Sequence, residues 1–144
     1  MNDWFTYSHQ NFPVVLKYPN PTPLGNVVTI NEQSGPSRFR AHFVSSGSDE
    51  VYFEVGRYVE LPVTQAIDDF LTDVTSRFEN LEVGEMERVR FQSFPAHRFS
   101  IRWPGKERVI LFIEKQDALY RIIHDPASHL NKEMLDSVEF RESS

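Results

Sequence analysis

Along much of the chain, apolar and polar residues alternate with a period of two, which predicts short strands. The alternation is typical of strands with one buried face, and it runs through 38–43, 51–59, 88–92 and 98–103. Further strands are predicted at 12–18, 27–30, 119–124 and 137–140. The segment 109–113 is apolar at every position, so we expect it to form a central strand that is covered on both faces.

Two segments depart from this alternation and predict helices. In the middle of the chain, apolar residues recur every three or four positions, at Val63, Ala66, Ile67, Phe70, Leu71, Val74, Phe78 and Leu81. This spacing predicts a long amphipathic helix that packs on a sheet and ends near Asn80, with Thr64 as its N-cap. Pro126 opens a short second helix. Strands interrupted by one long helix predict a single α+β domain over residues 1–144.

The composition excludes several classes of function. The chain has no cysteine, which rules out disulfides, thiolate catalysis and cysteine-based metal centres. The net charge of −6 argues against a general nucleic-acid binder. The longest apolar run, 109–113, is too short to cross a membrane, and the first residues lack the pattern of an export signal. We therefore expect a cytoplasmic protein without a nucleic-acid or membrane partner.

Few residues suggest catalysis or metal binding. His124, Asp125, Ser128 and His129 lie close together in sequence and could form a hydrolase-like site, but no nucleophile motif accompanies them. Asp68, Asp69 and Asp73 could share a cation, although a solvated helix surface is the simpler interpretation. The six glycines are scattered and form no phosphate-binding loop. The sequence therefore predicts no catalytic residue, no metal and no cofactor.

The most distinctive polar pattern is a set of arginines that alternate with apolar residues on predicted strands. Eleven of the fifteen basic residues are arginines, and the alternating ones are Arg38, Arg40, Arg88, Arg90, Arg98 and Arg102. If the strands at 88–92 and 98–103 pair as a hairpin, we expect four guanidinium groups on one sheet face. Such a cluster would bind an acidic protein segment or another anion. The alternative is that neighbouring glutamates pair with these arginines as ordinary surface ion pairs.

The order of the elements, with several short motifs, resembles the PsbP-like fold family. The motifs are Tyr18-Pro19 at the end of the first strand, the helix at 63–80, FPAHRF at 94–99 and LDSVEF at 135–140. This family includes photosystem II extrinsic proteins, a Ran-binding nuclear import factor and bacterial DcrB-type proteins. The resemblance implies an α/β/α sandwich: a central antiparallel sheet of about six strands, with the long helix and the short C-terminal helix packed on it. It also implies a protein that binds other proteins rather than catalysing a reaction.

Three functional hypotheses follow. The first is a small non-catalytic binding, adaptor or chaperone-like module with a protein partner. The second is a carrier of a small molecule or anion, with Arg98 and Arg102 as charge partners, and the third is an enzyme that uses the His124, Ser128 and His129 region. Aromatic residues near the start of the chain and Phe94 would suit a protein interface, including a homodimer, if they cluster on the surface.

Overall fold

Strands dominate the structure, a computed structural model that describes residues 4–46 and 50–141. The turn expected at Gly47–Asp49 lies outside the described residues. The first strands are β1 (Trp4–His9), β2 (Phe12–Pro19), β3 (Val28–Ser34), β4 (Arg38–Ser45) and β5 (Tyr52–Tyr58), followed by helix α1 (Val63–Arg77). The later elements are β6 (Glu82–Val83), β7 (Glu87–Phe91), β8 (Phe94–Trp103), β9 (Lys106–Glu114), β10 (Leu119–His124), α2 (His129–Asp136) and β11 (Glu139–Phe140).

The described strands form two antiparallel sheets. The larger sheet has eight strands in the order β3-β4-β5-β10-β9-β8-β6, and β7 also pairs with β8. The smaller sheet has the order β1-β2-β11. Strand β9 lies between β8 and β10, and its residues 110–113 are all buried. The prediction of a central strand covered on both faces is therefore confirmed.

Helix α1 covers one face of the large sheet, which we call the helix face. The buried helix residues Ala66, Phe70 and Val74 pack on the strands β8, β9 and β10. Phe70 meets the rings of Phe99 and Phe112 edge to face, with centroids 5.9 Å and 6.2 Å away. The spacing of three and four residues along the helix brings these side chains onto one stripe, so burial of this stripe holds α1 on the sheet.

The small sheet and α2 cover the other face of the large sheet, which we call the β face. Phe12, Val14 and Leu16 of β2 share one apolar core with residues of β4, β5 and β10. Leu130 and Met134 of α2 are buried in the same core. The Phe12 ring stacks on Phe39 with centroids 4.5 Å apart. The alternation along β4 and β5 thus buries one side of each strand beneath a second sheet.

The predicted α/β/α sandwich on one sheet of about six strands is wrong. The fold is mostly β, with sheets of eight and three strands, and a second sheet occupies the face where a helical layer was expected. A PsbP-like architecture is therefore not supported. The physical reason is that β11 pairs with β2 from the other end of the chain and, with β1, forms a second sheet; a pairing between segments so far apart leaves no local pattern in the sequence.

Several element boundaries also differ from the expectation. Helix α1 ends at Arg77 rather than near Asn80, and Thr64 lies inside the helix because the N-cap position is Pro62. Helix α2 begins at His129, beyond Pro126. No helix among the described residues combines the length and the hydropathy that a membrane span requires.

Replacing Phe70 by Ala tests the contact between α1 and the sheet. We expect a loss of about 3 kcal/mol in the free energy of unfolding, because the change leaves a cavity against two aromatic rings. Urea denaturation measures this loss. Thr72→Ala, at an exposed position of the same helix, is the matched control and should change stability by less than about 0.5 kcal/mol. Equal effects of the two substitutions would show that α1 is not held by this stripe.

Candidate functional site

The two strands that carry most of the predicted arginines do form a hairpin. Strand β7 pairs antiparallel with β8, from Glu87 opposite Arg98 to Phe91 opposite Phe94. The turn is the two residues Gln92 and Ser93, both with positive φ, as in the type I′ turns that suit the twist of a hairpin. A two-residue turn pairs each even-numbered residue with an odd-numbered one, so Arg88 lies opposite His97 and Arg98 opposite Glu87.

This register separates the four hairpin arginines onto two faces. Arg98 lies opposite Leu111 of the β-face core, and Arg102 follows on the same side of β8. Arg88 pairs with His97, and His97 pairs in turn with Phe112 of the helix-face core. Arg88 therefore lies on the helix face, and so does Arg90, two residues further along the same strand. The expected cluster of four guanidinium groups on one face is therefore absent. Arg38 and Arg40 also lie on the helix face, but on β4, away from α1.

Four of the six predicted arginines have partners within the described residues. Arg98 forms an ion pair with Glu87 at 3.1 Å, and Arg102 one with Glu107 at 3.3 Å. Arg90 donates to the carbonyl of Ser93 at 2.8 Å. Arg40 donates to Gln33 at 2.7 Å and lies 3.7 Å from Glu54. Arg38 and Arg88 form no ion pair with another described residue, so they are the arginines most available to a ligand.

A cleft of about 460 Å³ lies on the helix face, between α1 and the part of the sheet that α1 does not cover. We call it the charged cleft. Its sheet wall carries Arg38 and Arg40 of β4 and Arg121 of β10, and its helix wall carries Asp69 and Asp73. Tyr58 and Phe112 also line the cleft. The ring of Tyr58 lies over Gly56 of the same strand, and a Cβ added at Gly56 would be 3.2 Å from that ring. The walls thus carry opposite charges.

A buried ion pair supports the sheet wall. The carboxylate of Glu54 accepts a hydrogen bond from Arg121 at 2.6 Å, and these side chains are only 7% and 14% exposed. Because Arg40 approaches the same carboxylate, one negative charge serves two guanidinium groups. Burial strengthens such contacts but makes the loss of one partner costly.

Sequence reasoning missed Glu54 and Arg121. The available signal was their position, since each is a charged residue within a strand whose neighbours are strongly apolar. His124 was predicted only as part of the hydrolase-like group, and Lys132 stood out in no pattern; both line a second cleft, on the β face. Their role depends on how α2 packs beside the sheet, and that packing is not visible in the local pattern.

Two histidines, His42 on the helix face and His124 on the β face, have lowered pKa values that favour the neutral form. Burial lowers the pKa of His42, and nearby Arg40 and Arg108 lower it further, although Glu54 opposes them. Burial also lowers the pKa of His124. His42 Nε2 and His124 Nδ1 are buried and have no hydrogen-bond partner in the part of the chain that the structure describes, and such burial is costly for a polar atom.

A second cleft, of about 360 Å³, lies on the β face between α2 and the strands β7, β8 and β9. We call it the apolar groove. Its lining is predominantly apolar, with basic side chains and one histidine, and consists of Val89, Arg90, Phe91, Arg98, Val109, Leu111, His124, Pro126, Ser128, Lys132 and Leu135. Two predicted arginines line this groove: Arg98, which lies on the β face, and Arg90 of β7, which the strand register assigns to the helix face.

The proposed hydrolase residues do not form a nucleophile–base pair. The Ser128 hydroxyl donates to the carbonyl of Glu50, not to a histidine. The carboxylate of Asp125 pairs with Arg108 at 3.2 Å and accepts from the backbone of Ala127. Since a nucleophile needs a base within hydrogen-bond reach, this arrangement does not support acyl-transfer chemistry.

The helix aspartates are also used differently from a metal site. Asp73 pairs with Arg77 at 2.5 Å, one turn along α1. Within the described ranges, no group of three or more potential ligands is arranged to hold a metal ion. The aromatic residues considered for an interface do not all lie on the surface, since Tyr7 is buried and Phe94 packs on Phe140, while Phe5 is 49% exposed.

Removing Glu54 tests the buried ion pair. Glu54→Leu leaves two guanidinium groups without their carboxylate, so we expect a loss of about 3 kcal/mol in the free energy of unfolding. The double variant Glu54→Leu/Arg121→Leu also removes the unpaired charge of Arg121, so its free energy of unfolding should fall by less. Chemical denaturation of the wild type, both single variants and the double variant gives the coupling energy. An unchanged stability of Glu54→Leu would contradict the assignment.

Acidification tests the neutral histidines. Below the ordinary histidine pKa of about 6.5, His42 and His124 bind protons in the unfolded chain but stay neutral to a lower pH in the folded protein. Stability should therefore fall as the pH is lowered from about 7 towards 5. Denaturation midpoints across this range should show a shallower fall in His42→Phe and in His124→Phe. His129→Gln, at an exposed position, is the control and should keep the wild-type slope.

The comparisons with known proteins are sparse. No family model matches the chain, and no curated protein matches it in sequence. Among solved structures, the chain is similar to the crystal structure of PA94, a protein of unknown function from Pseudomonas aeruginosa, at 16% identity. The match covers 86% of this chain and 84% of that chain with a TM-score of 0.39. So distant a match carries no argument, and membership of the PsbP-like family stays a prediction.

Proposed function

We propose that this protein is a non-catalytic binding module, an adaptor or chaperone-like protein, that holds an extended segment of a partner protein in the charged cleft. The observation that carries this proposal is the separation of charge across the cleft. Arginines lie on the sheet wall and aspartates on the helix wall. A partner segment with acidic side chains on one side and basic side chains on the other would complement both walls.

The spacing of the charges favours an extended chain. Arg38 and Arg40 are two residues apart on one strand, about 7 Å along its axis. Asp69 and Asp73 are one turn apart on α1, about 6 Å along the helix. An extended peptide repeats its side chains on each side at about 7 Å as well. Two successive contacts can therefore form on each wall without bending the peptide.

The balance of charge favours a protein over a free anion at this cleft. Glu54, Glu60, Asp69 and Asp73 offset the three arginines, although Asp73 is itself paired with Arg77. A small anion would be attracted by one wall and repelled by the other. A polypeptide can present both signs of charge and gains specificity from doing so.

The setting proposed for this function is the cytoplasm, supported by the absence of cysteine. A homodimer is one arrangement that would supply such a segment from a second copy.

A carrier of a small anion is the second candidate function. The apolar groove favours it, because every charged residue that lines this groove is basic.

Two peptides of identical composition test the proposal. An eight-residue peptide of alternating glutamate and lysine places all its acidic groups on one side when extended, whereas a peptide of four glutamates followed by four lysines does not. We expect the alternating peptide to bind at least about tenfold more tightly, a difference of about 1.4 kcal/mol. Fluorescence anisotropy with labelled peptides measures both affinities.

Charge reversals on each wall locate the binding. Arg38→Glu on the sheet wall and Asp69→Lys on the helix wall should each weaken the alternating peptide about tenfold. Both positions are exposed, so the folded state should tolerate the changes. Arg102→Glu, on the other face, is the matched control and should bind as the wild type does. Equal affinity for the two peptides, or equal binding by all variants, would refute the proposal.

A further inference from the structure

We propose that the apolar groove is a second binding site, for a carboxylic acid with an apolar body of about a dozen non-hydrogen atoms in total. The site is on the opposite face of the sheet from the charged cleft and does not depend on it. Its ligand would be a medium-chain fatty acid or a compound of the same chemistry.

The walls of the groove suit an apolar body. Val109 and Leu111 lie on β9 at its floor, Val89 and Phe91 on β7 form one side, and Leu135 of α2 forms another. Val89, Phe91 and Leu135 are only partly covered by the protein core. A ligand that covers them would remove apolar surface from water, which contributes about 25 cal/mol for each Å².

The charged residues of the groove suit an anion. Arg90, Arg98 and Lys132 line it, and none of the described residues that line it carries a carboxylate. The ion pair between Arg98 and Glu87 is exposed, at 47% and 57% of the two side chains, so water screens it and it competes weakly with a ligand. Lys132 makes no ion pair within the described part of the chain. Arg90 donates to the Ser93 carbonyl and Arg98 pairs with an exposed glutamate, so Lys132 is the basic side chain of the groove most available to a ligand.

His124 adds a separate indication of a ligand. Its side chain lines the groove, the residue is only 8% exposed, and its Nδ1 has no hydrogen-bond partner among the described residues. Buried polar atoms are normally paired. An acid in the groove could supply an oxygen to the imidazole, while the basic side chains hold the negative charge.

The dimensions limit the ligand. At the share of about 30 Å³ for one water molecule, the groove of about 360 Å³ holds about twelve non-hydrogen atoms. A strongly hydrated polyanion would leave the apolar walls uncovered. An uncharged hydrocarbon would leave the basic residues and His124 without a partner. A single carboxylate on an apolar body satisfies all these groups.

Titration with octanoate tests the proposal, with acetate and octylammonium as control probes. Octanoate should bind with at least about tenfold higher affinity than either control, measured by calorimetry. Acetate lacks the apolar body and octylammonium carries the opposite charge. NMR of ¹⁵N-labelled protein should show shifts of the His124 ring nitrogens and of backbone amides in β7, β9 and α2.

Variants separate this site from the charged cleft. Lys132→Glu and Arg98→Glu should each weaken octanoate about tenfold and improve octylammonium binding, and Val109→Phe should block the groove. Arg102→Glu and Arg38→Glu are controls that should leave octanoate affinity unchanged. The proposal is overturned if octanoate binds no better than its controls, if its shifts lie outside the groove, or if Arg38→Glu weakens it as much as Lys132→Glu does.

Discussion

The burial of β9 and β10 on both faces is the constraint on which the rest of the structure depends. These central strands are apolar on both sides, so each face of the large sheet needs a covering layer. Helix α1 provides one layer through Ala66, Phe70 and Val74, and the small sheet with α2 provides the other. The two layers overlap over the center of the sheet and diverge toward its edges.

Both clefts result from this offset. Helix α1 covers β8, β9 and β10 and leaves the helix face of β4 and β5 open, where the charged cleft lies. The small sheet and α2 cover β4, β5 and β10 and leave the β face of β7, β8 and β9 partly open, where the apolar groove lies. The charged residues of both clefts are therefore found where a covering layer ends.

Individual elements were readable from the sequence because their patterns are local. The strands from β2 to β10 and the helix at 63 were predicted within a few residues, apart from β6. The two-residue strand β6 is too short to carry a periodic signal, and β1 alternates only weakly, whereas β11 lies within the strand predicted at 137–140. The fold class was wrong because the pairing of β11 with β2 joins the two ends of the chain into a second sheet, and no local pattern indicates that pairing.

The sequence by itself determined which residues carry charge, which strands have one apolar side and where α1 forms, because periodicity and side-chain chemistry are properties of neighbouring residues. Only the tertiary structure decided which arginines share a surface. A turn of two residues at Gln92 and Ser93 placed Arg88 and Arg98 on opposite faces, and a turn one residue longer would have changed that relation. Side-chain facing depends on register, and register is settled by turn geometry and by packing against distant strands.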